Sequence, residues 1–410
     1  MTLTNPLSTP LQKNGLAAAS RSDASDSDRF PIVVHSHLRW DWVWQRPQQF
    51  LSRLSKRHPV LFIEEPLAVA GLSKPCTKLR EVSGLPNVRV VQTELPGELF
   101  REREAVDEAQ YRLVQQTLAG PLGQTFRRPV QWFYDPMAVV PFGGRMDERV
   151  IVYDCMDQLS QFRGAPPELV RRERELLAIA DVVFAGGPKI HSAKKEFNSN
   201  CHSYGCGVDV RHFGQARRAD TVVPADIATL PGPVLGYFGV VDERMDYDLV
   251  AQLADVHPEW SIVIIGPCTK VDPATFPQRA NLHWLGGRDY EQLPGYVKGL
   301  DVCLMPFAIN EATAFINPTK ALEYMATGRP IVSTAIEDVV LQFADVVRIA
   351  NSREAFIGMC EQALAAPDHA RTGRGMELAS RNSWEAIVSR LEGHIDDALH
   401  SQEKLEVRAA

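Results

Sequence analysis

The sequence predicts an α/β protein made of two parallel-sheet domains in tandem. Three observations carry that expectation. Short apolar runs such as Phe30–His35 (FPIVVH) and Trp260–Ile265 (WSIVII) alternate with stretches of helical periodicity along the chain. The runs are apolar on both faces, as in parallel strands covered on each side. A polar, proline-containing stretch at residues 214–232 divides the series into halves.

Composition bounds the answer. The chain has 410 residues, enough for two or three domains, with 45% hydrophobic and 23% charged residues. A net charge of −7 disfavours a nucleic-acid-binding role. No apolar run is long enough to span a bilayer, and the N-terminus has no apolar core of a secretory signal. A cytoplasmic location is expected, with peripheral contact with the inner membrane left open. The seven cysteines (76, 155, 201, 206, 268, 303 and 360) are odd in number and contain no C-x-x-C, which fits reduced thiols. Cys201, His202 and Cys206 lack a second ligand pair at metal-site spacing, so no metal is expected there.

In order along the first half, residues 1–28 are polar and aperiodic, which predicts a disordered tail. Phe30–His35 is the first strand. The loop SHLRWDWVWQRPQQ, from Ser36, alternates Trp40, Trp42 and Trp44 with Asp41 and Arg46 among them, and a helix follows over Gln48–Arg57. Loops after the carboxyl ends of strands line the ligand crevice of such sheets. The tryptophans either stack on flat ligand faces there or form an ordinary packing cluster. His35, His37, Arg39 and Asp41 are the hydroxyl-binding candidates beside them. Val60–Glu64 and Val88–Gln92 are strands, and Glu104–Leu118 a helix. Pro129–Tyr134 and Val150–Tyr153 are further strands, whose ends place Asp135, Asp154 and Asp157 either in the crevice or as turn caps. A mixed-charge helix, Pro167–Ala180, precedes the strand Asp181–Ala185 and a helix over Lys189–Phe197.

The second half opens with the strand Pro233–Phe238. Gly239 at its exit permits close approach of a phosphate, and Arg244 can bind phosphate oxygens bidentately. A helix over Tyr247–His257 follows. The next strands are Trp260–Ile265, Leu282–Leu285, Asp301–Pro306 and Val346–Ile349, with Arg288 and Tyr290 in the loop after the second of these. The stretch INPTKALEYMATGRPIVST, from Ile316, has the grammar of a helix entering a strand. Asn317 suits the N-cap, Pro318 the first helical position and Gly328 the left-handed residue past the end. Amides at such an N-terminus attract anions. Lys320 adds a full charge, and Glu323 shares its face. The pair either serves a ligand or is a solvated surface pair. Trp384–Leu399 is a last amphipathic helix, and the residues after it are expected to fray.

These residues also resemble a known family. NPTKALEYMATGRPIVST is similar to the donor-site motif NP-x-K-x-x-E-Y-x-A-x-G-x-P-V-V of GT-B glycosyltransferases. The nearest are the bacterial family 1/4 enzymes that build exopolysaccharide, capsule and teichuronic-acid-type polymers. WDWVWQRPQQ resembles the N-terminal signature of the same enzymes. Gly236–Gly239 with Arg244 resembles the first strand-loop of their donor domain. Cys206-Gly-Val-Asp209 with Phe213 resembles the segment closing their first domain, Cys206 replacing the usual Asn. Phe315 stands where the first glutamate of the Glu-x7-Glu pair is common, and Glu323 matches the second. Leu249 stands where a lysine is usual, leaving that charge to Lys320.

The resemblance implies a GT-B fold, with two Rossmann-like domains facing a central cleft and a C-terminal helix crossing back to the first. It implies an acceptor-side domain at 29–213, a linker at 214–232, a donor domain at 233–380, the returning helix at 381–400 and a frayed tail at 401–410. The implied activity is transfer of a hexose-type sugar from a UDP- or GDP-sugar to a hydroxyl of a saccharide or lipid-linked acceptor. Cell-surface polysaccharide synthesis and retention at the anomeric carbon are implied, with no resident cofactor and no metal. Arg244 and Lys320 would neutralise the leaving diphosphate. Gly239, Asn317, Pro318 and Thr319 would approach the phosphates, Glu323 would hold the ribose, and Arg288 and Tyr290 would meet the base. His37, Arg39, Trp40, Asp41, Trp44, Arg46 and Asp154 would line the acceptor side. A GT-B-shaped nucleotide-sugar epimerase would use the donor half alone and release free epimerised product. A non-catalytic sugar- or partner-binding module would bind donor without turnover. A nicotinamide oxidoreductase is disfavoured, because no G-x-G-x-x-G follows the first strand.

Overall fold

The structure, a computed structural model, describes residues 29–41, 44–162, 164–310, 313 and 319–409. The expected tail at 1–28, Trp42, Phe315 and the expected helix cap Asn317–Pro318 lie outside the described residues.

Two parallel sheets organise the chain. The first contains β1 (Ile32–Ser36), β2 (Val60–Glu64), β3 (Leu67–Val69), β4 (Cys76–Val82), β5 (Leu85–Pro96), β6 (Val130–Phe133), β7 (Val150–Cys155), β8 (Val182–Ala185) and β9 (Cys201–Ser203). Its order is β3-β5-β2-β1-β6-β7-β8-β9, with β4 antiparallel on β5. The second contains β10 (Val234–Phe238), β11 (Ser261–Ile265), β12 (Leu282–Gly286), β13 (Val302–Met305), β14 (Ile331–Thr334) and β15 (Arg348–Ala350), in the order β12-β11-β10-β13-β14-β15. In both sheets the order reverses beside a central first strand, and the crevice at that reversal is where open α/β sheets bind ligands.

Alternation along the central strands divides the first domain's core. Ile32, Val34, Trp132 and Val152 face one side with Phe50, Leu51 and Leu54. Val33, Phe133, Ile151 and Val183 face the other with Val114, Phe142 and Leu176. The first of these faces is closed by the last helix, Trp384–Ala409, through Trp384, Ile387, Val388, Leu391, Ile395 and Leu399. Ion pairs of Arg53 with Glu385 (2.8 Å) and Arg57 with Glu392 (3.3 Å) run along this contact. The chain therefore crosses from the second domain back to the first, as the resemblance implied.

Three expectations need correction. The helix continues through residues 401–409, where fraying was expected, and Arg149 and Asp181 of the first domain hold Glu403 and Gln402. The stretch 214–232 is not an open tether. It contains the short helices Gly214–Arg217 and Ala225–Ala228, and Ile227 joins the second domain's core. The β4–β5 hairpin was not expected, and β5 runs well beyond Val88–Gln92. Lys78, Arg80 and Glu81 make β4 a polar edge strand, so it carries no apolar signal.

Candidate active site in the interdomain cleft

The helix Thr319–Thr327 fixes the second-domain wall of the cleft. Ala321, Leu322, Tyr324 and Met325 are buried in the domain core, leaving Lys320 and Glu323 on the opposite, open face. The Phe238 N–H at the end of β10 donates to Tyr324 Oη (2.9 Å), tying the helix to the central strand. Gly328 closes the helix with φ +74°, the left-handed value a C-terminal glycine permits. Lys320 Nζ lies 2.8 Å from Glu323 Oε2 and 4.8 Å from the centre of the Phe238 ring. Gly239 follows Phe238 at φ +151°. A Cβ there would stand 2.4 Å from Tyr237 Oη and 3.0 Å from Lys320 Cε, so a larger residue would displace the tyrosine hydroxyl and press on the lysine stem.

Arg244 reaches the same cavity from the loop after β10. Asp242 grips its guanidinium through Nε (2.8 Å) and Nη2 (2.5 Å). That hydrogen bonding raises the arginine's pKa and outweighs the opposing effect of burial. The bidentate face expected to meet phosphate is thus occupied by Asp242, and Nη1 is the nitrogen left for a ligand. Tyr290 lines the cleft and stacks on His212 with ring centres 4.0 Å apart, while His212 Nε2 donates to the Tyr290 carbonyl (2.9 Å). This contact joins the end of the first domain to the second. Lys189 and Glu337 make another joining pair at 2.7 Å.

The cavity between these walls has a volume of about 790 Å³. Arg244, Tyr290, Thr319, Lys320, Glu323 and Asp338 line it from the second domain. From the first come Trp44, Gln45, Arg46 and Gln49 at the start of the helix Arg46–Leu54, and Asp157, Gln158, Gln161 and Phe162 after β7. Cys206 and Asp209 lie between, and Trp384 closes the floor from the last helix. Among the described residues, no three His, Cys, Asp or Glu side chains are gathered to hold a metal ion.

Several expected site residues lie elsewhere. Arg288 is not on the cleft. It is bound to Asp226 (2.9 Å), Tyr296 Oη (2.6 Å) and two main-chain carbonyls, which consumes its donors. Trp40 is 3% exposed and packs edge-on against Phe62, so the packing reading holds for it, whereas Trp44 is 53% exposed on the cleft. Asp154 is wholly buried beneath the first-domain wall and takes Arg46 Nε at 3.0 Å. Burial raises its pKa, against the pull of the guanidinium. Arg46 also donates to the carbonyls of Tyr204 (2.5 Å) and Gly205 (3.1 Å). The pair fastens the helix Arg46–Leu54 to β7 and the chain after β9. Arg39 pairs with Glu64 (3.1 Å), and Asp41 with Arg80 (2.8 Å). His37 Nδ1 donates to the Tyr134 carbonyl (3.2 Å). His37, Arg39 and Asp41 therefore brace the loop behind Trp44, and none of the three lines the cavity. Gln158, Gln161, Phe162 and Asp338 were missed. The apolar strand before the first three was the only signal of their position.

Two domains with facing parallel sheets, a ligand-sized cleft between them and a returning terminal helix define the GT-B fold. A family model described as glycosyl transferases group 1 matches residues 232–365, within the second domain. Bacillus subtilis TuaH, whose name assigns it to teichuronic acid biosynthesis as a glycosyltransferase, is 24% identical over 203 residues. That alignment covers 45% of this chain and 50% of TuaH, so the shared region spans about half of each. An E. coli trehalose-6-phosphate structure bound with UDP-2-fluoro glucose superposes with a TM-score of 0.62 at 14% identity, covering 90% of this chain and 99% of that one. Anabaena Alr3699/HepE in complex with UDP and glucose gives 0.61 at 12%, covering 90% and 100%. Sucrose-phosphate synthase of Thermosynechococcus elongatus gives 0.60 at 16%, covering 91% and 100%. At these identities the superpositions speak for the fold.

Proposed function

We propose that this chain is a glycosyltransferase that moves a hexose-type sugar from a UDP- or GDP-sugar to a hydroxyl of a saccharide or lipid-linked acceptor. The observation that carries this reading is the convergence of Arg244 and Lys320 on one cavity, with Glu323 beside the lysine and the other domain opposite. As the bond to the diphosphate breaks, negative charge grows on the leaving group. Two cations held in a partly dehydrated cleft stabilise that charge more than they stabilise the ground state. Amides at the start of the helix Thr319–Thr327 add to this, and Glu323 accepts from the ribose hydroxyls. Residues 233–380 form the donor side and 29–213 the acceptor side, with Tyr290 near the base. The match of the glycosyl transferases group 1 model to residues 232–365 and the nucleotide ligands of the structures with this fold support the donor class. Resemblance to polysaccharide-building enzymes supports a role in cell-surface polymer synthesis with retention of configuration, at the cytoplasmic face of the membrane. No helix among the described residues is long and apolar enough to cross a membrane.

A thermal-shift and calorimetric series with nucleoside diphosphates and their sugars tests the reading, since a ligand that binds only the native state raises its apparent stability. UDP or GDP is expected to stabilise the protein, and Lys320→Ala is expected to abolish most of the shift. A chain that responds to neither nucleotide is not a transferase of this kind.

A further inference from the structure

The first-domain wall of the cleft holds a carboxylate whose side chain has no hydrogen-bond or ion-pair partner among the described residues. Asp157 lies two residues past the end of β7 and lines the cavity. Among the described residues only its main-chain carbonyl is engaged, by the Leu159 N–H (3.1 Å) and the Cys155 thiol (3.6 Å). Of the other carboxylates lining the cleft, Glu323 holds Lys320 and Asp209 caps the His212 N–H (2.9 Å), while Asp338, on the second-domain wall, has a buried Oδ1 without a hydrogen-bond partner among the described residues. Cys206 lies within electrostatic reach of Arg46 and Asp157 of the first domain and of Glu323 and Lys320 of the second, so Asp157 and the Lys320–Glu323 pair share one cavity.

Its surroundings specify a ligand chemistry. Gln158 and Gln161 follow it on a single helical turn, and both line the cavity. Phe162, 59% exposed, and Trp44 present aromatic surface on the same wall. The cations of this wall are engaged, Arg46 with Asp154 and Lys189 with Glu337. An ionised carboxylate accepts from two adjacent hydroxyls, amides both donate and accept, and aromatic faces suit the C–H face of a sugar ring. A phosphate or carboxylate placed here would meet the Asp157 charge with no free cation among the described residues of this wall to offset it.

Resting on the donor reading above, we infer that this wall is the acceptor subsite, that it takes an uncharged pyranoside, and that Asp157 is the specificity-determining residue accepting from the ring hydroxyls. Saturation-transfer NMR on the full chain tests it, with the methyl α- and β-glycosides of glucose, galactose, mannose and N-acetylglucosamine as probes, each with and without UDP or GDP, and glucose 1-phosphate as the anionic competitor. At least one neutral glycoside binds. Its affinity falls by about tenfold in Asp157→Ala, the loss expected for one charge-assisted hydrogen bond, with a smaller loss in Asp157→Asn. Nucleotide affinity of both variants stays within about twofold of wild type, because the donor side is untouched. Burial raises the Asp157 pKa, with His37 and Arg46 pulling it down, so acidification weakens glycoside binding in wild type and not in Asp157→Asn. The inference is overturned if no neutral glycoside binds, if Asp157→Ala binds undiminished, or if, with the nucleotide bound, glucose 1-phosphate binds more tightly than the glycosides. Failure of wild type to bind either nucleotide sinks the donor reading and leaves the glycoside arm to be read by itself.

Discussion

Lys320 and Glu323 stand three residues apart on a helix whose other face is buried, so the same turn that packs Leu322 and Tyr324 aims the pair into the cleft. Lys320→Ala or Arg244→Ala should lower kcat by about 10²–10³-fold, the range seen when one stabilising group at a developing charge is removed. Unfolding midpoints should stay near wild type, since both side chains reach solvent. Retention of most of the rate would show that neither cation meets the leaving group. The lysine was legible because its partner is local. Arg46 and Asp154 were read as acceptor ligands because their contact joins residues 108 positions apart, which no local pattern reveals. Breaking this buried pair with Asp154→Ala should cost about 3–5 kcal/mol in denaturant unfolding, because the guanidinium would be left uncompensated. A loss below about 1 kcal/mol would mean the pair is solvated. His35 makes one pH-dependent contribution of known sign. Burial lowers its pKa from 6.5 to about 3, so the unfolded chain binds the extra proton first. Stability contributed by neutral His35 is whole above about pH 6.5 and is lost as pH falls toward 3, by about 1.4 kcal/mol per unit. Equilibrium unfolding across that window should show the slope, flattened in His35→Phe.

The loop between β1 and the helix Arg46–Leu54 is held from beneath by one side chain. Glu64, buried at the end of β2, accepts from Arg39 (3.1 Å), the Trp40 N–H (3.0 Å) and Gln92 (3.2 Å), and pairs with Arg80 of β4 at 3.4 Å. Glu64→Ala should release Trp40, leave Arg39 only Glu65 and Arg80 only Asp41 as carboxylate partners, and cost about 1–3 kcal/mol. Hydrogen exchange at the Trp40 amide should accelerate with it, and unchanged protection would mean the loop is held by packing alone. The central strands were readable because covered parallel strands are apolar on both faces. The β4 edge was not, since its half-exposed residues alternate charge with small apolar groups and imitate a loop. Likewise, the stretch 214–232 reads as polar tether, yet Ile227 and Val223 seat it on the second domain.

Connection of the two domains depends on the last helix. Leu391 is fully buried between it and the first sheet, so Leu391→Ala should cost about 2–5 kcal/mol by lost transfer and cavity terms. Calorimetry should show the loss in the transition of the first domain, and an equal loss in both domains would mean they unfold as one unit. The two-domain plan and the returning helix could be foreseen from strand–helix alternation and the apolar spacing of Trp384, Ile387, Leu391 and Ile395. Which side chains share the cleft could not, because the cleft is made by domain apposition, and its lining comes from strand ends far apart in sequence.

Because the apolar face of the first sheet is sealed by residues 384–399, it has no lid while the ribosome is still making the second domain. The first domain leaves the exit tunnel first and must wait, sticky side out, until residues 384–399 emerge. Vectorial synthesis therefore leaves this face uncovered until that helix appears, and moving the coding segment for residues 384–409 ahead of β1 would shorten the wait.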